Sequence, residues 1–303
     1  MRTRRSTERG EPVKLPEYTV LPGLVEAHAH LFLEGAPVDL EVRKAYLLKP
    51  AAELRDRARE RTAKLAGLGI MAVRDAGDKH GVGLALQGET GFVESAGTAI
   101  HRKGRYGTFL AEPMEDAESP DACVELRCRE GSAWIKLMAS GIIDFKKGAV
   151  VAPPQMSADE VASFVQSARR RDRRVLAHAS GAKSIQNVID GGVRTVEHGF
   201  FVTPDQLSKM ADRGIAWVPT FSPVQAQVDN AAAMGWDDVV VAGLKKILDG
   251  HAESLRRAHE IGVPLLAGSD AGSYGVAHGL GLLHELEQIE AAGLPPKAVL
   301  AAA

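Results

Sequence analysis

Six residues of this chain combine metal-ligand chemistry with a shared local setting. His28 and His30 lie in LVEAHAH, Lys136 in AWIKLMASG, His178 in RVLAHASG, His198 in TVEHGF and Asp270 in LLAGSDAG. Each sits at or just past a short apolar run. Four imidazoles and a carboxylate are nitrogen and oxygen ligands suited to Zn²⁺, and also to Mn²⁺, Fe²⁺ or Co²⁺. His28 and His30 are two apart, which in a strand places both on one face, where they can grip one ion. Lys136 is the odd member, because a buried ammonium is costly unless paired or neutralised. Either it pairs with Glu197 or Asp270, or its amine is modified so that it carries negative charge. Taken singly, each residue has a plainer reading. An Asp after an apolar strand is most often a cap or turn former, and a strand-end His a structural hydrogen-bonder. It is the joint occurrence, in order along the chain, that argues for a site.

The elements that must position these residues alternate in type. LVEAHAHL after the Pro22-Gly23 turn, GIMAVRDAG ending at Asp75, a unit around TAIHRK (98–103), AWIKLM, RVLAHAS, TVEHGFF, IAWVPTF and VPLLAGSD read as strands. Between them run helical patterns: a charged one from Glu53 to about Leu68, one near Asp116–Arg129 that Pro120 breaks or delays, and VASFVQSARRR, started by a Ser157/Glu160 capping box. AKSIQNVIDGG, PDQLSKMADRG, the region through VAGLKKILDGHAESLRRAHEIG, and LGLLHELEQIEAAG follow. Strands alternating with helices imply right-handed crossovers and a parallel sheet, and near-continuous apolar strands imply burial on both faces. Eight such units predict an α/β fold, a closed (β/α)₈ barrel, over residues 21–303, with an open doubly wound sheet as the alternative. The first strand–helix turn has no G-x-G-x-x-G, so a dinucleotide fold has no support. In a (β/α)₈ barrel all C-terminal strand ends open onto one face, so the six residues converge on one mouth.

Composition bounds the function. The chain has 303 residues, 45% hydrophobic and 25% charged, with a net charge of −2, a globular balance that points to no nucleic acid and no acidic membrane. The Arg169–Arg174 run reads as a solvated helix end. No stretch approaches the ~20 apolar residues of a membrane span. Cys123 and Cys128 read as packing residues in a reducing compartment, and a cytoplasmic location is expected. Residues 1–20 are basic but lack an apolar core, and read as a tail or a remnant of a further unit rather than a secretory signal.

PGLVEAHAH, IKLMASG, AHASG, EHG and GSDAG, taken together, resemble the amidohydrolase superfamily of metal-dependent hydrolases, over nearly the whole chain from Leu21. MAVRDAG, WVPTF and the last helix look like the branch of imidazolonepropionase-like proteins and Xaa-Pro, arginine and lysine dipeptidases. The resemblance implies that His28, His30 and Asp270 hold one metal ion and that His178 and His198 hold a second, both ions expected to be zinc. It also implies that Lys136, carboxylated by CO₂, bridges them. It further implies attack by a metal-bridging hydroxide, with Asp270 taking its proton and passing it to the leaving amine, on the C–N bond of an amide, dipeptide or N-acyl amino acid. The family's small β-sandwich is expected to be largely absent from this chain. His101, Arg102, Tyr106, Thr220, Phe221 and Tyr274 are the candidates for contacting a small-molecule substrate, with Arg102 placed to hold a carboxylate. His278 and His284 lie near or on the last helix, and His80, His251 and His259 read as surface or helix histidines. A homo-oligomer is compatible with the family. The rival within the fold is a mononuclear deaminase or imidazolone-type ring opener, but those deaminases carry a Glu shortly after the fifth strand's His, and Ala179-Ser180-Gly181 follows His178 here. A catalytically silent metal-binding barrel is the rival from another class.

Overall fold

A computed structural model describes residues 20–303; the expected N-terminal tail lies, but for its last residue, outside them. The chain begins with β1 (Leu24–Ala29), α1 (Leu40–Leu47), α2 (Ala51–Leu65), β2 (Ile70–Asp75), α3 (Val82–Thr90), β3 (Val93–Ser95), β4 (Ala99–His101), β5 (Ala111–Pro113), α4 (Pro120–Glu130) and β6 (Trp134–Met138). It continues through α5 (Ala158–Arg170), β7 (Arg174–Ala179), α6 (Ala182–Gly191), β8 (Thr195–His198), α7 (Pro204–Arg213) and β9 (Ala216–Val218). It ends with α8 (Ser222–Asp229), α9 (Ala231–Met234), α10 (Asp238–Glu260), α11 (Leu280–Ala291) and α12 (Pro296–Ala302). All the strand pairings are parallel, in the orders β1-β2-β3 and β5-β4-β6-β7-β8-β9.

The architecture is the expected α/β barrel, with two local departures. The third barrel strand is broken: β3 pairs with β2 and β4 with β6, and the chain kinks between them at Gly97, whose φ of +59° suits glycine. The eighth position, read as the strand VPLLAGSD, is extended chain held by single bridges rather than a regular ladder. Leu265 bridges Trp217 of β9, and Ala271 bridges Ala29 of β1. Ala27 N–H donates to the Ala267 carbonyl at 2.9 Å, and Asp270 N–H to the His28 carbonyl at 2.8 Å. On the other side the Ala133 N–H donates to the Ser95 carbonyl at 2.8 Å. Backbone hydrogen bonds, rather than one continuous ladder, therefore link the two sheets and the last segment around the barrel.

Local signals explain the helices. The Ser157/Glu160 capping box starts α5 as expected, and α7 has a second box from Thr203 and Gln206 with Pro204 in its first turn. Pro120 gives α4 a late start, capped by Ser119. The apolar faces of α5, α6 and α7 bury Val161, Phe164, Ile185, Val188, Leu207 and Met210 against the strands. Inside the barrel, Trp134, Lys136 and Met138 alternate onto one face of β6, and Trp134 packs with Ala76, Ala96 and Leu176 in a small separate core. α1, α3, α8 and α9 had no sequence signal strong enough to read. Among the described residues no helix is long and apolar enough to cross a membrane. Cys123 and Cys128 are free thiols on α4.

Candidate metal centre

His28 lies at the end of β1 and His30 just past it, Lys136 in the middle of β6, His178 near the end of β7, His198 at the end of β8, and Asp270 in the last extended segment. All six converge. His28, His30 and Asp270 have ligand atoms within 4.8 Å of one another. Asp270 Oδ1 lies 3.6 Å from His28 Nε2 and 3.5 Å from His30 Nε2. The His178 and His198 rings are 4.7 Å apart, and His198 is 5.0 Å from His28. Lys136, His178, His198, His30 and Asp270 line one cavity of about 830 Å³, large for a small-molecule site.

Each imidazole is held by one nitrogen. His28 Nδ1 is 2.5 Å from Glu197 Oε2, His30 Nδ1 2.9 Å from the Gly77 carbonyl, and His198 Nδ1 2.7 Å from Thr220 Oγ1. These three leave Nε2 for a ligand bond. His178 is reversed: its Nε2 lies 3.2 Å from the Gly141 carbonyl, leaving Nδ1. This is how metal-binding histidines are oriented, the second nitrogen fixing tautomer and ring angle. His28 Nε2 is fully buried and has no hydrogen-bond partner among the described residues. An orphaned buried nitrogen facing a carboxylate and three more imidazoles fits a divalent cation.

The electrostatics agree with this fit. Burial pushes His30 and His178 down to about 3, and His28 and His198 well below the usual imidazole range, with the Lys136 charge a further cause. All four are therefore neutral near pH 7, the form that binds metal. Burial also lowers Lys136 to about 8 and raises Asp270 to about 6, the latter opposed by the Ser273 hydroxyl, which donates to Oδ2 at 2.8 Å. Of the two alternatives the sequence left open for Lys136, pairing with Glu197 or Asp270 is not found. Among the described residues it makes no side-chain hydrogen bond, and those two carboxylates act on it only through space. Glu197 is already taken by His28, by Thr195, and by both oxygens' contacts to Arg74 Nη2 at 3.1 and 3.0 Å.

Arg74 and Glu197 were not visible as a unit in the sequence. Arg74 is buried, stacks over Trp134 at 4.8 Å and donates to the Ala27 carbonyl at 2.6 Å. It thus ties β1, β2, β6 and β8 together beneath His28. Backbone strain also gathers here. His198, Thr220 and Asp270 have φ of 70°, 52° and 54°, conformations rare outside glycine and typical of functional sites.

The expected substrate contacts divide. Tyr106 and Tyr274 line the cavity. His101 and Arg102 do not: His101 is buried beside it, and Arg102 is occupied by Glu160 at 2.6 Å, Glu115 at 3.2 Å and the Gln155 carbonyl. An arginine so engaged has no free fork for a substrate carboxylate. Thr220 orients His198 instead of facing the cavity, and Phe221 is buried at the start of α8. His278 is tied to the Leu33 carbonyl at 2.8 Å, and His284 and His259 are exposed on helices. His251 is helical, as expected, but fully buried, stacked on Phe200 at 4.2 Å and 2.9 Å from the Pro219 carbonyl.

Comparison with known proteins gives a consistent picture. The sequence model of the amidohydrolase family matches residues 19–303. An uncharacterized protein of Mycobacterium tuberculosis is 29% identical over 285 residues, covering 94% of this chain and 72% of that protein. The ochratoxinase of Aspergillus niger is 27% identical over 180 residues, covering 58% of this chain and 36% of the enzyme. Among solved structures, a Xaa-Pro dipeptidase with methionine bound in its active site superposes with a TM-score of 0.72 at 23% identity, over 93% of this chain and 73% of that one. That likeness speaks to the fold.

Proposed function

The chain belongs to the amidohydrolase family, and from that premise we propose that it hydrolyses the C–N bond of a dipeptide or N-acyl amino acid at a binuclear divalent-metal centre. The observation that carries the reading is the convergence of four neutral imidazoles, each anchored through one nitrogen, on Lys136 and Asp270 at one cavity. The names of the similar proteins, a dipeptidase and an ochratoxinase, support a peptide-like or amide substrate.

In this reading His28, His30 and Asp270 would hold one ion and His178 and His198 the other, with Lys136, carboxylated by CO₂, as the ligand they would share. Zinc is the expected metal, from the imidazole-rich donor set. Divalent cations held there supply Lewis acidity, polarising a carbonyl and lowering the proton affinity of water. The chain's own residues do the rest. The lowered proton affinity of Lys136 gives its neutral amine a standing population at neutral pH. That amine adds to CO₂, forming an N–C bond and releasing one proton, and the product is an anion. Asp270, near 6 and steadied by Ser273, can accept a proton from the attacking water and return it to the leaving nitrogen. Glu197 and Thr220 hold His28 and His198 in the tautomers that leave Nε2 free.

The test is metal content per chain beside a Lys136→Ala variant, with turnover of N-acyl amino acids by an Asp270→Asn variant. Two ions per chain, falling sharply without Lys136, and turnover lost with metal largely retained in Asp270→Asn, are expected. One ion per chain, indifferent to Lys136, would remove the bridge and favour the mononuclear deaminase or ring-opening chemistry, which ammonia release from an aminated heterocycle would report.

A further inference from the structure

Arg43 is a cation in the cavity wall without a carboxylate of its own. It lies in the second turn of α1, a helix capped by Asp39, and is partly buried. One Nη1–H donates to the Gly272 carbonyl at 2.7 Å, and the guanidinium stacks on the Tyr274 ring at 4.3 Å. It forms no ion pair with any described residue. Among the described residues, the carboxylate whose charge acts on it is Asp270, which is turned toward the histidines. Buried charges are normally paired, because desolvation is expensive, and burial already lowers the proton affinity of this guanidinium. A fixed, planar, unpaired fork is suited to a carboxylate.

Its position says which carboxylate. Arg43 is anchored to Gly272, two residues from Asp270. If Asp270 returns a proton to the leaving nitrogen, a carboxylate one carbon from that nitrogen falls on the Arg43 side. Much of the remaining cavity wall is apolar. Phe145, Ile143, Phe200, Val224 and Trp236 line it and belong to one hydrophobic cluster. Ile143, Phe145 and Phe200 come from the segments after β6 and β8, the fourth and sixth barrel positions, each three removed from that of β1. Val224 and Trp236 come from the α8–α10 region, which packs beside the Gly272–Gly275 turn and carries the apolar wall on from it.

We propose that Arg43 and Tyr274 form a carboxylate subsite, and that the substrate is an α-amino acid with a free carboxylate whose nitrogen carries a bulky apolar, preferably aromatic, acyl group. The inference rests on the amide-hydrolase reading of the centre and names its substrate class. In it Arg43 replaces Arg102 as the carboxylate holder.

The test measures binding, so it does not depend on turnover. The probes are N-(2-naphthylsulfonyl)-L-alanine, whose sulfonamide is not an amide substrate, its primary carboxamide, and N-(methylsulfonyl)-L-alanine. Calorimetry on the full, metal-loaded chain should show the naphthyl acid binding about 10- to 100-fold tighter than its carboxamide. Arg43→Gln should abolish that preference by weakening the acid alone. Arg43→Lys, which keeps the charge and the stem, should retain part of it and serves if the glutamine variant folds poorly. Trp236→Ala should weaken the naphthyl acid and leave the methyl acid unchanged. Equal affinity for acid and carboxamide in the wild type, or a preference that survives in Arg43→Gln, overturns the subsite. A preference that depends on Arg43, in a metal-loaded protein that cleaves no N-acyl amino acid, leaves the subsite standing and sinks the hydrolase reading instead.

Discussion

Glu197 joins His28, Arg74 and Thr195 in the interior, and replacing it by glutamine separates two effects. The carboxylate is fully buried, accepts from His28 Nδ1 at 2.5 Å, and faces the buried guanidinium of Arg74 at 3.0 Å. A glutamine side chain keeps the shape but presents one amide N–H₂ where an acceptor is needed, and removes the charge opposite Arg74. Breaking a buried ion pair from one side costs about 3–5 kcal/mol, because the remaining charge stays desolvated. At about 2–4 °C per kcal/mol, the melting temperature should fall by roughly 6–20 °C. The second effect falls on His28. With no carboxylate to fix Nδ1–H, the ring loses its tautomer and angle, and such outer contacts are worth about 10- to 100-fold in metal affinity. Thermal melting and zinc titration of Glu197→Gln read the two losses. An Arg74→Met/Glu197→Leu double variant tells them apart. Replacing both charges with apolar groups should restore much of the stability, since the guanidinium is no longer stranded, but leave zinc binding weak. Wild-type zinc affinity in Glu197→Gln, or a double variant less stable than the single one, would refute the reasoning.

Two further outcomes follow from the geometry. His251 is buried among Phe200, Trp217 and Phe221, no charged group among the described residues acts on it, and burial lowers it to about 4. Its neutral form is favoured in the fold, so its stabilisation is complete above pH 6.5 and is lost as pH falls toward 4, by about 3 kcal/mol over that window. Glu26 and Glu285, raised by burial to about 7, act with the opposite sign, their penalty shrinking as pH falls from 7 to 4.5. Urea denaturation at pH 8 and pH 4.5 of wild type and His251→Phe should therefore show a smaller acid loss in the variant, and equal losses would discard the assignment. A Cβ at Gly268 would come within 2.8 Å of both the His28 backbone nitrogen and its Cβ, and 2.6 Å of Val218. Gly268→Ala should cost about 1–3 kcal/mol and also weaken zinc binding by shifting His28, whereas a stable variant with normal zinc affinity would show that β1 can yield.

The six converging residues were legible from the chain because each sits where an apolar, strand-length run meets a polar turn. Alternation places His28 and His30 on one face whatever the rest of the molecule does. The parallel alternation of strands and helices, with the capping box at Ser157, was likewise a local property. The partners of those residues were not. Glu197 meets His28 across 169 positions and Arg74 across 123, and Arg102 reaches Glu160 instead of the cavity; register and burial decide such contacts, and no short pattern encodes them. The left-handed backbone at His198, Thr220 and Asp270 is uncommon outside glycine, and no short pattern in the chain announces it. Arg43 lay in a stretch with no readable motif, and only the packing of α1 over the Gly272–Tyr274 turn brings its guanidinium to the cavity. Sequence by itself determined the residue types of the candidate site and the fold that gathers them; tertiary structure decided which nitrogen each histidine leaves free and which cation faces the cavity, because those choices are set by neighbours that only folding brings together.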